Sequence, residues 1–136
     1  MKFAVLGFGG RGIIYTHLFN YCGSELTAVC EPNTEKKAIA ARYGLSEENF
    51  YTDENAFFKA GKLADALVIS TMDDMHYRQT MKALDLGYDI LLEKPIAMTL
   101  RECEKIRDKA NSLGRKVVVC HVLRYTPFFD KVKSIL

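Results

Sequence analysis

Six short apolar runs alternate with stretches of helical periodicity along the whole chain, and this alternation limits the fold more than any other feature. The runs are Lys2–Leu6, Leu26–Cys30, Phe50–Tyr51, Ala64–Ser70, Tyr88–Leu92 and Lys116–His121. Ala66-Leu67-Val68-Ile69 shows no polar alternation, the pattern of a parallel strand buried on both faces. Parallel strands need crossover connections, and right-handed crossovers leave few topologies. The expected fold is α/β: a Rossmann-type, doubly wound parallel sheet in the order 3-2-1-4-5-6 with helices on both faces.

The intervening segments carry helix signals. After the first glycine cluster, Ile14, Leu18, Tyr21 and Cys22 recur at three- and four-residue spacing, which predicts a face packed on the sheet. Asn33 or Thr34 caps a helix that stops at Gly44, and Asp53 caps a short one ending near Gly61. A further helix is expected from Met75 to Leu86. Thr99-Leu-Arg-Glu102 fits a capping box, with Leu100, Cys103, Ile106, Ala110 and Leu113 along one face behind it. Phe57, Phe58, Phe128 and Phe129 read as packing residues. Pro127–Leu136 opens another helix, so residues 1–124 are expected to form the domain and 125–136 to lead towards a further one. Apolar surface around Leu123, Phe128, Phe129 and Leu136 would then be left open to self-association.

Composition narrows the partners. The 136 residues carry a formal net charge of +2 and no run of like charges, which gives no reason for a nucleic acid or an anionic membrane as partner. Cys22, Cys30, Cys103 and Cys120 are scattered, with no paired spacing, and are expected to be reduced thiols without a metal. The apolar start, Lys2–Leu6, is too short for a signal peptide, and no segment approaches the roughly 20 apolar residues of a membrane span. A cytoplasmic protein is expected.

Gly7-Phe8-Gly9-Gly10-Arg11-Gly12 matches G-x-G-x-x-G, and its glycines have separate physical tasks. Gly7 allows the tight turn off the strand, Gly9 keeps side-chain atoms away from a diphosphate, and Gly12 lets the helix lie close to the strand. Amides at that helix N-terminus, with the helix dipole, favour an anion. The hexapeptide alone is a weak signal. Its place between strand and helix, with Glu31 about 20 residues beyond Gly9 at the end of the next strand, turns it into a dinucleotide fingerprint. Glu31 can accept the adenosine ribose hydroxyls and would repel a 2′-phosphate, which favours NAD over NADP. Lys36 and Lys37 lie near enough to soften that preference.

A strand ending in Glu93-Lys94-Pro95, downstream of this fingerprint and of a Thr71-x-x-x-x-His76 step, resembles the glucose–fructose oxidoreductase / inositol dehydrogenase / MocA family. The resemblance extends through Arg124-Tyr125-Thr-Pro127 and covers essentially the whole chain. It implies an NAD(P)-binding domain of an oxidoreductase that moves a hydride between nicotinamide and a hydroxyl carbon of a sugar, cyclitol or related small molecule. It also implies a C-terminal α/β domain, absent from this chain, that completes the substrate pocket and makes a homo-oligomer; without it the chain is expected to be inactive. Lys94 is then the catalytic residue, orienting or deprotonating the reacting hydroxyl, and Ser70, Thr71, His76, Glu93 and Lys94 lie along the cofactor. Thr71-Met72-Asp73 departs from the family's usual Thr-Pro-Asn, and Val122 stands where many members have asparagine. His121 and Arg124 are weaker candidates, and His17 is read as packed or solvent-facing. An NAD-dependent glycosidase on the same scaffold, compatible with Gly-Arg-Gly, and a nucleotide-binding domain without catalysis are the alternatives.

Overall fold

The computed structural model describes residues 1–136. Six parallel strands form one sheet in the order 3-2-1-4-5-6, as the alternation predicts: β1 (Lys2–Leu6), β2 (Glu25–Cys30), β3 (Phe50–Tyr51), β4 (Ala66–Ile69), β5 (Asp89–Leu92) and β6 (Val117–Val119). Several strands are shorter at their ends than the apolar runs. The residues just beyond them still hydrogen-bond to the neighbouring strand, the Asp65, Ser70 and Cys120 N–H groups donating to the Lys2, Leu6 and Leu92 carbonyls.

Period-two alternation distributes the strand side chains between two cores. Ala4, Leu6, Ala28, Cys30, Leu67, Ile69 and Leu92 point to the face covered by α3 (Glu54–Lys59), α4 (His76–Asp85) and α5 (Leu100–Ser112). Phe3, Val5, Val29 and Val68 point to the opposite face, under α1 (Gly10–Tyr21) and α2 (Lys37–Ala41), joined by Leu26, which a register shift in the β1–β2 pairing at Phe3/Ala4 takes out of the alternation. The capping box of α5 forms as expected: Thr99 accepts from the Glu102 N–H while the Glu102 carboxylate accepts from the Thr99 N–H at 3.1 Å. Asn33 and Asp53 also cap as predicted, accepting from the Glu35 and Ala56 N–H groups.

The structure corrects the packing face of α1. Ile14, Leu18, Tyr21 and Cys22 are exposed, and the face against the sheet is Gly12, Tyr15 and Thr16, with Ile13 and Phe19 partly buried beside it. Close approach at Gly12 decides this. A Cβ there would lie 2.2 Å from the Gly7 carbonyl oxygen, so only a glycine face can seat the helix at this depth. Thr16 is tolerated in the core because its hydroxyl donates to the Gly12 carbonyl at 2.8 Å.

Smaller corrections follow the same principle, that a periodic apolar residue is buried only if the sheet extends beneath it. Leu100 and Leu113, at the ends of α5, are exposed, whereas Ile106 and Ala110 in its middle are buried. Phe57 is fully buried and Phe58 packs against the same core, but Phe128 and Phe129 are exposed. They lie on α6 (Pro127–Ile135), which buries no residue at all. Leu123 and Leu136 are exposed too, as the sequence suggested for this end of the chain. No helix is long and apolar enough to cross a membrane.

Candidate functional site

The glycine turn joins β1 to α1 at the carboxyl edge of the sheet, where doubly wound folds bind ligands. Gly7 has φ of +87°, and a Cβ there would lie 2.7 Å from the Ser70 carbonyl oxygen, so both conformation and space require glycine. Gly9 differs: a Cβ on it would meet nothing within 4 Å, which marks open space over the turn. As N-cap of α1 it supplies no side chain, so the first-turn amides of Gly10, Arg11 and Gly12 have no side-chain acceptor. Open space above unpartnered amides is what a diphosphate requires.

Glu31 lies directly beside this turn. Its two oxygens accept the N–H groups of Phe8 at 2.9 Å and Asn33 at 3.0 Å, tying the turn after β2 to the one after β1. A carboxylate has about four lone-pair sites, so two acceptor positions remain for ribose hydroxyls. Of the two nearby lysines, Lys37 is already paired with Glu47 at 2.9 Å. A cleft of about 360 Å³ opens beside Glu31, with Gly7, Gly9, Ser70 and Thr71 on one wall and Thr52, Met72, Met75 and Gln79 around it. Cys30 lies at its floor, its thiol pushed up to about 12 by burial and by the surrounding carboxylates of Glu54, Asp53 and Glu31. Met72 is exposed at the cleft, and Asp73 does not line it.

The residues after β4 brace the site from below. Ser70 Oγ donates to the Gly7 carbonyl at 2.7 Å, latching β4 to the glycine turn. Thr71 Oγ1 donates to Gln79 Oε1 at 2.5 Å, and Gln79 in turn donates to Glu54 at 2.8 Å. His76 is fully buried. Its Nδ1 lies 2.7 Å from the Pro95 carbonyl and its Nε2 3.3 Å from the Thr71 carbonyl. Carbonyls only accept, so the shorter contact assigns a proton to Nδ1. His76 therefore connects the loops after β4 and β5 from inside the fold, with no surface turned to a ligand.

Glu93 and Lys94 leave β5 at the same edge, and the Lys94–Pro95 peptide is cis. Glu93 is buried; one oxygen accepts the Lys94 N–H at 2.9 Å, and the other accepts from the Tyr15 hydroxyl and lies 3.6 Å from Arg11 Nε. Lys94 itself is exposed and shares a cavity of about 520 Å³ with Arg11, His121, Val122 and Arg124. His121 makes no side-chain hydrogen bond, and His17 is exposed on α1. Sequence reasoning missed Tyr15, Gln79 and Glu54. The available signal was polar side chains on core-facing helical positions, as in the buried set His76, Gln79 and Thr80 of α4.

A parallel 3-2-1-4-5-6 sheet with a glycine turn, an acid after β2 and a lysine after β5 defines a dinucleotide-binding oxidoreductase domain. Residues 1–121 match the model of the oxidoreductase family with an NAD-binding Rossmann fold, and the chain belongs to this glucose–fructose oxidoreductase / inositol dehydrogenase / MocA family. D-glucoside 3-dehydrogenase of Escherichia coli is 30% identical over 119 residues, 85% of this chain and 33% of its own length. Inositol 2-dehydrogenase of Klebsiella pneumoniae is 27% identical over 88% of this chain and 36% of its own. The chain thus spans about a third of the length of these curated relatives. Among solved structures, the WlbA dehydrogenase of Thermus thermophilus, in complex with NAD and UDP-GlcNAcA, superposes with a TM-score of 0.89. It is 26% identical, covering all of this chain and 46% of that one.

Proposed function

We propose that this chain is the cofactor half of an NAD-dependent dehydrogenase acting on a hydroxyl carbon of a sugar, cyclitol or related small molecule. One observation carries the reading: the cleft beside Glu31 and the lysine after β5 open on the same edge of one sheet, on either side of the free amides of α1. Nicotinamide, when bound, supplies the hydride acceptor or donor. The amides of Gly10, Arg11 and Gly12 hold the diphosphate, and Glu31 takes the ribose hydroxyls and disfavours a 2′-phosphate. Lys94 Nζ orients the substrate hydroxyl and moves its proton. The dehydrogenase names of the curated relatives support this substrate class, and their greater length supports a second domain that supplies the rest of the substrate pocket. The 136-residue chain then binds nucleotide without appreciable turnover.

Fluorescence or calorimetric titration tests this reading. NAD is expected to bind saturably and NADP at least about tenfold more weakly, the effect of one like-charge clash at the ribose. Saturable binding of NADP without NAD would overturn the assignment of Glu31. Joined to its downstream sequence, the chain should accumulate NADH with a sugar or cyclitol substrate. Release of sugar from a glycoside without net NADH would point to the glycosidase chemistry that Gly10-Arg11-Gly12 also accommodates.

A further inference from the structure

Tyr15 has a polar function inside an apolar core. Its ring is buried on the α1 face of the sheet, while its hydroxyl reaches across to donate to Glu93 Oε1. The second oxygen of Glu93 accepts the Lys94 N–H at 2.9 Å. One carboxylate therefore bridges the first helix and the turn that presents the lysine. A buried carboxylate is costly unless donors meet its lone pairs, so the choice of donors matters. Arg11, one helical turn before Tyr15, lies 3.6 Å from the same oxygen, but its side chain is 56% exposed, against 9% for Glu93. It also stands on the glycine turn, where a bound diphosphate would compete for it. Tyr15 is the side-chain donor that stays in place. Its phenol is raised above the ordinary value, first by burial and then by Cys120 and Glu93, so it remains protonated and able to donate.

We propose that Tyr15 is a positioning residue for Lys94: through Glu93 it locks the lysine-bearing turn to the helix whose N-terminus receives the cofactor. The inference rests on the reading of Lys94 as the reacting lysine. It gives the two halves of the site a common reference, since the 12-residue α1 carries both the glycine-turn N-terminus and Tyr15. Arg11 is then free to leave Glu93 for the diphosphate while Tyr15 keeps the turn in register. Phenylalanine at this position keeps the ring packing and removes only the donor, so packing and positioning can be separated.

Tyr15→Phe and Glu93→Gln in the 136-residue chain provide the test, with three readouts: amide hydrogen exchange, labelling of the Lys94 amine across a pH series, and NAD affinity. In Tyr15→Phe, exchange at the Lys94 amide should rise about tenfold, the effect of one buried charge-assisted hydrogen bond. Labelling of Lys94 should change its pH profile relative to the exposed Lys131, while β4 amides stay protected and NAD affinity stays within about twofold. Glu93→Gln removes one of two acceptors at constant volume and should loosen Lys94 in the same way.

Unchanged exchange and labelling at Lys94 in both variants would overturn the inference. Loosening that spreads equally to β4, or loss of the fold in both variants, would assign Tyr15 and Glu93 to packing and overturn it too. If wild type binds NAD normally while Lys94 ignores both substitutions, only this inference falls. If wild type does not bind NAD, the proposed function falls, and the positioning role falls with it.

Discussion

At the scale of single residues, the glycines of the turn separate folding from binding. Gly12 is required by the fold, because a Cβ would sit 2.2 Å from the Gly7 carbonyl oxygen. Gly9 is free in the fold, since a Cβ meets nothing within 4 Å, and is expected to matter only to a ligand. Gly12→Ala should therefore cost about 3 kcal/mol of stability or abolish folding, through overpacking against backbone that cannot yield. Gly9→Ala should melt within a degree or two of wild type yet bind NAD about tenfold more weakly or worse. Denaturant unfolding and NAD titration of the two variants check this; equal melting of both with wild type would refute it. The fingerprint was readable from the sequence because glycine and acid spacing follow directly from ligand geometry. The Tyr15 hydroxyl was not, because its partner Glu93 is 78 residues away and only the fold brings them together.

Between elements, Glu54 is the clearest polar contact. From the first turn of α3 it accepts from Arg78 at 2.5 and 3.0 Å, Gln79 at 2.8 Å and Lys82 at 3.1 Å, all on α4. Burial acts to raise its pKa, but the hydrogen bonds from Gln79, Lys82 and Arg78 and the charge of Arg78 outweigh it, holding the carboxyl below its ordinary 4.5. A carboxyl lowered by folding stabilises the folded chain above its unfolded value. That stability is lost as pH falls through the lower folded value. Glu54→Gln should destabilise the chain by about 2 kcal/mol near neutral pH, because it leaves cations unpaired beside a partly buried group. The difference from wild type should shrink as the pH drops below 4.5 and the native carboxyl protonates. Urea melts of both proteins across the acid range measure it; a constant gap would exclude the carboxylate as its source. The helices themselves were readable from caps and periodicity, whereas the face of α1 that packs was not. Ile14, Leu18 and Tyr21 form a regular apolar stripe, yet the glycine–carbonyl contact at Gly12 turns that stripe outwards.

At the scale of the whole molecule, the cofactor cleft and the lysine turn are joined through a single sheet, so binding should be felt globally. Any ligand that binds only the folded chain stabilises it by mass action. NAD at a hundredfold excess over its Kd should add about 2.7 kcal/mol and raise Tm by roughly 10 °C for a domain of this size. NADP at the same concentration should raise it by much less. Thermal melts with each nucleotide check both statements, and equal shifts would argue against discrimination by Glu31.

The sequence by itself determined the strand order, the glycine turn, the acid after β2 and the lysine after β5. These depend on local periodicity, turn chemistry and spacing along the chain, which folding carries over unchanged. Tertiary structure decided which face of α1 is buried, that His76 spans two loops from within, and that Tyr15 and Glu93 connect helix to lysine turn. Each of those depends on distances between residues far apart in sequence, and a one-dimensional pattern holds no record of such distances until the sheet sets them. The dinucleotide fingerprint thus came from the sequence, and its connection to the lysine turn came only from the packed sheet.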